Sequence, residues 1–247
     1  MKKSHNTQEG IQRTSNNRGF TLSNLSKTSL DFIEFASHAT KPSVDMGSAF
    51  GIATTPLLKK KKSVFACDLS PEHLEILRAE TPREQLPFLT TLTGSFPEDF
   101  DFEKNSIGAI HCSHLLHFLT GEEVMLGLSK FRDWLCKEGK LFLTAGTPNL
   151  VFLSDFTKEF ERRKLKVDWP GEMQAHDMAQ YVMQDFTELI GSDAMYNYIN
   201  VFDRDILTRM LMRSGFEIEE LGLYTPDVSK ELHTLMGENS LIYAIAH

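Results

Sequence analysis

Short continuous apolar runs alternate with longer segments whose apolar residues recur every three or four positions. The runs "SVDMG", "SVFACD", "FLTTLTGSF", "SIGAIHCSH" and "KLFLTAG" predict five buried strands. Between them the helical spacing returns. Leu25, Leu30, Phe32, Ile33 and Phe35 precede the first strand, "GIATTPLL" follows it, and Leu74 and Leu77 mark a helix opened by Ser70 as N-cap and Pro71 in its first turn. Thr120 and Glu123 form a capping-box pair ahead of the stripe Val124, Leu128, Phe131 and Leu135, with Gly139 as the expected stop. After residue 200, Ile206, Leu207, Met210 and Leu211 define a further helix with Gly215 as its stop. "FEIEELGLY" and "SLIYAIAH" close the chain as two strands.

Two segments break this alternation. Residues 1–19 are polar and mixed, and are expected to be a disordered tail. Residues 147–200 are rich in charged, Met and aromatic residues and predict a helical insert. In that insert Trp169, Met173, Met178, Tyr181, Met183 and Phe186 pack the insert on the core or line an apolar substrate pocket. The rest predicts an α/β, doubly wound, mainly parallel sheet whose ligand site lies at the carboxyl ends of the strands.

Charge narrows the partners. The 247 residues carry a formal net charge of −8, with +6 in residues 1–62 and −14 in the remainder. An acidic surface repels phosphate backbones, so nucleic acid is not an expected partner. Lys59, Lys60, Lys61 and Lys62 read as a solvated turn. No apolar run reaches the length of a membrane span, and no apolar core follows the first lysines, so no membrane partner is expected and a cytoplasmic location is. Cys67, Cys112 and Cys136 fit reduced, buried thiols.

The strand ends carry the candidate chemistry. "VDMGSAFG" offers Gly47, Ala49 and Ile52 to the nicotinamide-type glycine pattern, which fails at two of three positions. It offers Asp45, Gly47 and Gly51, with Ala49 between them, to the alternative pattern of an acid followed by alternating glycines. Asp68 ends the second strand 21 residues after Gly47, where an acid can accept from both hydroxyls of a ribose. Gly94, Ser95 and Phe96 end the third, a small turn with an aromatic suited to an adenine edge.

With these residues in place, the chain resembles the class I S-adenosylmethionine-dependent methyltransferases, from about Leu22 to the C-terminus. The resemblance implies a seven-stranded Rossmann-like sheet with its last strand antiparallel, a methyltransferase domain over residues 20–247, and a lid or substrate element at 147–200. It implies S-adenosylmethionine as cofactor and S-adenosylhomocysteine as product. It places Gly47, Ser48, Ala49 and Gly51 around the methionine part, with Asp45 orienting the loop. Asp68 would hold the ribose, with Leu69 on the adenine, Gly94, Ser95 and Phe96 at the base, and Ser113 and His114 near the sulfonium. Ala49 replaces a family glycine, and Ser95 stands where many members carry an acid.

"AIHCSHLLHF" puts His111, His114 and His117 three apart. A strand-to-helix corner does not aim three rings at one point, so no metal site is expected, and the residues are either structural or face a substrate. His114 and His117 are the candidate bases for deprotonating an acceptor. The expected acceptor is a small, partly apolar molecule. The alternatives are a cofactor-binding regulatory protein of the same fold without turnover, a nicotinamide oxidoreductase and a zinc protein.

Overall fold

The computed structural model describes residues 7–8, 11–13, 20–22, 24–153, 156–178, 180–182, 198–228 and 230–247. Of the expected tail, Thr7–Gln8 (β1) and Ile11–Arg13 (β2) pair with Phe20–Leu22 (β3) in a small antiparallel sheet. The rest of residues 1–19 lies outside the described residues.

The first helix, α1 (Lys27–His38), is capped by the Ser26 hydroxyl, which accepts from the Ser29 amide. Phe32, Ile33 and Ala36 are buried on its inner face, while Leu30 points outward. Then follow β4 (Ser43–Met46), α2 (Thr54–Lys59), β5 (Val64–Asp68), α3 (Pro71–Glu80), β6 (Leu89–Thr93), β7 (Ile107–Ser113), α4 (Gly121–Trp134) and β8 (Leu135–Gly146). After the insert come α7 (Arg204–Arg213), β11 (Ile218–Tyr224), α8 (Lys230–Met236) and β12 (Leu241–Ala246). The insert holds α5 (Phe156–Lys164), β9 (Met173–Gln174), α6 (Ala175–Met178) and β10 (Tyr198–Ile199), with β9 and β10 antiparallel.

The seven-stranded sheet has the order β11-β12-β8-β7-β4-β5-β6. β12 runs antiparallel to both neighbours, and the other neighbouring pairs are parallel. The order reverses between β4 and β7, which is the switch point where such sheets bind ligands. Side chains alternate across the sheet. Val44, Met46, Ile110, Cys112, Leu141 and Leu143 face the core containing α4 and α7. Val64, Ala66, Ala109 and Phe142 face α1, α2 and α3.

The elements depart from expectation at three places. Gly139 does not stop α4: the helix ends at Trp134 because Leu135 already pairs with Ile107, and residues 136–139 stand opposite the single residue Gly108 as a bulge inside β8. Ser70 occupies the N-cap of α3, but its side chain makes no capping bond; its amide instead donates to the Asp68 carboxylate. The two closing strands are separated by α8, a helix the sequence pattern did not reveal.

Candidate functional site

β4 ends in a turn of three left-handed residues, Gly47 (φ +76°), Ala49 (φ +44°) and Gly51 (φ +77°). Gly51 fits because a Cβ there would lie 2.4 Å from Leu77 Cδ1. Ala49 holds the same half of backbone space with a side chain, a strain of about 1–2 kcal/mol. The turn is held by Gly47 and Ser48 amides donating to the Cys67 carbonyl and by the Ala49 amide donating to Asp68 Oδ2 at 2.8 Å.

The Asp68 carboxylate is nearly filled. Its Oδ1 accepts from the Ser70 amide at 2.9 Å and meets His73 Nδ1 at 3.0 Å, in addition to the Ala49 bond at Oδ2. A carboxylate has about four acceptor sites, so room for roughly one further donor remains rather than for two ribose hydroxyls. Leu69, beside it, is exposed to the cavity. The Ser95 amide donates to Asp99, and Phe96 is buried with its ring stacked on Phe131 at 4.8 Å, so only its edge reaches the cavity.

Asp45 points to the α1 side of the sheet, where it is buried. Its Oδ2 accepts from the Thr54 hydroxyl at 2.7 Å, and its Oδ1 lies 2.8 Å from His111 Nδ1. His111 Nε2 meets the Ser29 hydroxyl at 3.0 Å, and Phe32 stacks on the ring at 4.9 Å. Asp45 is thus engaged on both oxygens below the turn. This chain from Thr54 to Ser29 was not foreseen; the only sequence signal was an acid and a histidine at the ends of two expected strands.

His114 and His117 line the cavity, and His111 borders it. His114 has a left-handed backbone (φ +56°), and its amide donates to the Thr144 carbonyl. Its ring centroid is 6.3 Å from that of His117, which lies in the short 3-10 turn Leu116–Phe118. Burial, with His111 adding repulsion, lowers His114 to about 4. Burial, with His114 adding repulsion, lowers His117 to about 3. Both rings are therefore neutral across the physiological range.

These elements enclose a cavity of about 420 Å³, within the range of small-molecule sites. It brings together Asp45, Gly47, Ser48, Ala49, Asp68, Leu69, Gly94, Ser95, Phe96, Ser113, His114 and His117; Gly51 shapes the turn from behind. Ser48 Oγ is buried in this wall and, among the described residues, has no hydrogen-bond partner. The apolar part of the wall comes from Leu150, Phe152, Ile199, Val201 and Met236.

Of the aromatic and Met residues offered either to packing of the insert or to a substrate pocket, the described ones pack and do not line the cavity. Trp169 covers Gly121, where a Cβ would lie 1.9 Å from the indole, Met173 and Met178 are buried, and Tyr181 packs on Phe156 at 5.2 Å. Met183 and Phe186 lie outside the described residues. The insert is tied to the histidine loop, since Glu172 accepts from the Gly121 amide and the Asn200 amide donates to the His117 carbonyl. Among the described residues no helix is long and apolar enough to cross a membrane.

Comparison with known proteins gives the same architecture. Residues 44–143 match a sequence-family model described as a methyltransferase domain. No curated protein matches the chain. A Methanosarcina mazei S-adenosylmethionine-dependent methyltransferase has a similar fold, with a TM-score of 0.62, 14% identity, 90% of this chain covered and 97% of the other. A Mesorhizobium loti counterpart gives 0.59, 16%, 90% and 98%. The glycopeptide N-methyltransferase MtfA bound to S-adenosylmethionine gives 0.53, 18%, 89% and 86%.

Proposed function

We propose that the chain, whose residues 44–143 match a methyltransferase-domain model, is a class I S-adenosylmethionine-dependent methyltransferase that methylates a small, partly apolar acceptor in the cavity at the strand ends. The observation that carries this reading is the shared wall. One cavity of about 420 Å³ joins the glycine turn and the ends of β5, β6 and β7 to the apolar residues Leu150, Phe152, Ile199, Val201 and Met236.

The residues present fit the cofactor. The buried, unpartnered Ser48 hydroxyl supplies a polar group at the turn, and Gly47 lets the backbone approach closely. S-adenosylmethionine, when bound, supplies an electrophilic methyl group on a sulfonium. Gly47, Ser48 and Ala49 cradle the amino-acid part on the turn that Gly51 shapes from behind, and Asp45 acts from beneath by fixing Thr54 and His111. Asp68 offers its remaining acceptor site to a ribose hydroxyl, Leu69 covers one face of the base, and Gly94, Ser95 and Phe96 border it. Ser113 and His114 lie toward the reacting end.

His114 and His117 receive the acceptor as neutral imidazoles. A neutral ring accepts a hydrogen bond, which orients a hydroxyl or amine for in-line attack and gives its proton a place to go. With values near 4 and 3 they are weak bases, so alignment contributes more to the rate than proton removal does. Leu150, Phe152 and Ile199 of the insert cover the acceptor half.

Transfer of a labelled methyl group from S-adenosylmethionine to small molecules tests this reading. Label on an apolar compound that fits the cavity is the expected result. Label only on protein or nucleic acid contradicts it.

A further inference from the structure

Resting on that reading, we propose that the acceptor is an apolar molecule carrying a basic amine, and that Glu123 receives the amine as an ammonium ion. The cavity wall contains no Lys or Arg among the described residues, yet it contains the carboxylates of Asp45, Asp68 and Glu123. Two of these are committed on both oxygens: Asp45 to Thr54 and His111, Asp68 to Ala49, Ser70 and His73. Glu123 is different. Its capping box uses Oε2 alone, which accepts from the Thr120 amide at 2.7 Å and the Thr120 hydroxyl at 2.8 Å. Among the described residues Oε1 accepts no hydrogen bond, and no Lys or Arg pairs with the group.

The surroundings exclude the opposite charge. His114 and His117 are neutral, so they offer an anion no cation. A carboxylate or phosphate entering the acceptor half would lose its hydration and find hydroxyls, neutral imidazoles, apolar groups and Glu123, but no Lys or Arg of the wall to pair with. An ammonium would exchange water for a half-buried carboxylate, a charge-assisted bond roughly twice as strong as a neutral one. The apolar body of the acceptor lies on Leu150, Phe152, Ile199, Val201 and Met236. The ammonium is a recognition handle here, separate from the atom methylated.

The test uses the full chain loaded with S-adenosylhomocysteine and three probes on one scaffold: 3-phenylpropylamine, 3-phenylpropan-1-ol and 3-phenylpropanoate. Binding is measured by titration calorimetry. The amine should bind about tenfold tighter than the alcohol, and the carboxylate weakest. Glu123→Gln keeps the capping box, because Gln also serves at that position, so the fold and the affinity for S-adenosylhomocysteine persist while the preference for the amine falls to within about twofold. An alcohol or carboxylate that binds as tightly as the amine, a preference that survives Glu123→Gln, or no binding of any probe overturns the proposal. Failure of S-adenosylhomocysteine itself to bind would instead overturn the methyltransferase reading.

Discussion

His111 Nδ1 lies 2.8 Å from Asp45 Oδ1, and the two residues stand opposite each other on the neighbouring parallel strands β7 and β4. A carboxylate only accepts, so Nδ1 carries the proton and Nε2 is turned toward the Ser29 hydroxyl. One strand pair and one helix are thereby tied together directly beneath the glycine turn.

That tie predicts a graded series. His111→Leu leaves the buried Asp45 with Thr54 alone, and should cost about 3 kcal/mol of stability. Ser29→Ala removes the outer link only, and should cost about 1 kcal/mol. Urea unfolding of the two variants measures both. Equal losses would show that Asp45 does not depend on His111.

Ala49 gives a prediction of opposite sign. Its left-handed backbone costs about 1–2 kcal/mol that glycine would not pay, against about 0.4–1 kcal/mol for the greater freedom of glycine in the unfolded chain. Ala49→Gly should therefore raise the unfolding temperature slightly. Gly51→Ala should lower it strongly, because both the φ of +77° and the 2.4 Å approach of Leu77 oppose a side chain. Differential scanning calorimetry decides both.

The pH dependence follows from His114 and His117. Their folded values, about 4 and about 3, lie below the ordinary 6.5. Between those limits the unfolded chain binds more protons than the folded one, so stability rises with pH across the window and is lost as pH falls from 6.5 toward 4. A variant with both His114→Asn and His117→Gln should lose less stability than the parent between pH 7.5 and pH 5. Denaturant midpoints at the two pH values give the comparison, and parallel losses would contradict it.

Trp169 separates packing from substrate contact. Trp169→Ala removes the indole from Gly121 and opens the joint between the insert and α4, at a cost of about 2–3 kcal/mol. It should leave the affinity for S-adenosylhomocysteine unchanged, since Trp169 is not part of the cavity wall. A loss of that affinity greater than the loss of stability would place the side chain in the site after all.

The contrast between Ala66 and Gly139 shows where the sequence was readable. Strands such as Val64–Asp68 are buried on both faces, so they appear as unbroken apolar runs, and their ends at Met46, Asp68, Thr93 and Ser113 pointed to residues that line one cavity. The Thr120–Glu123 box is local and formed as expected. Gly139 misled because the end of α4 is set by the pairing of Leu135 with Ile107, a long-range fact that no local signal carries. The same holds for the apolar wall. Leu150, Phe152, Ile199, Val201 and Met236 are far apart in the chain, whereas the compact group around Trp169 and Met173 is spent on holding the insert in place. The histidine series was legible as a cluster, but its roles were not: His111 borders the cavity while bonded to Asp45 and Ser29 under Phe32, and the turn after β7 carries His114 and His117 along the same wall.

The central claim, a cofactor site at the glycine turn, is tested most directly by thermal unfolding of the full chain with S-adenosylhomocysteine, with NADH as the control. At 100 times its dissociation constant a ligand adds about 2.7 kcal/mol. The account predicts a clear upward shift with S-adenosylhomocysteine and none with NADH. No shift with S-adenosylhomocysteine, or an equal shift with NADH, would contradict it.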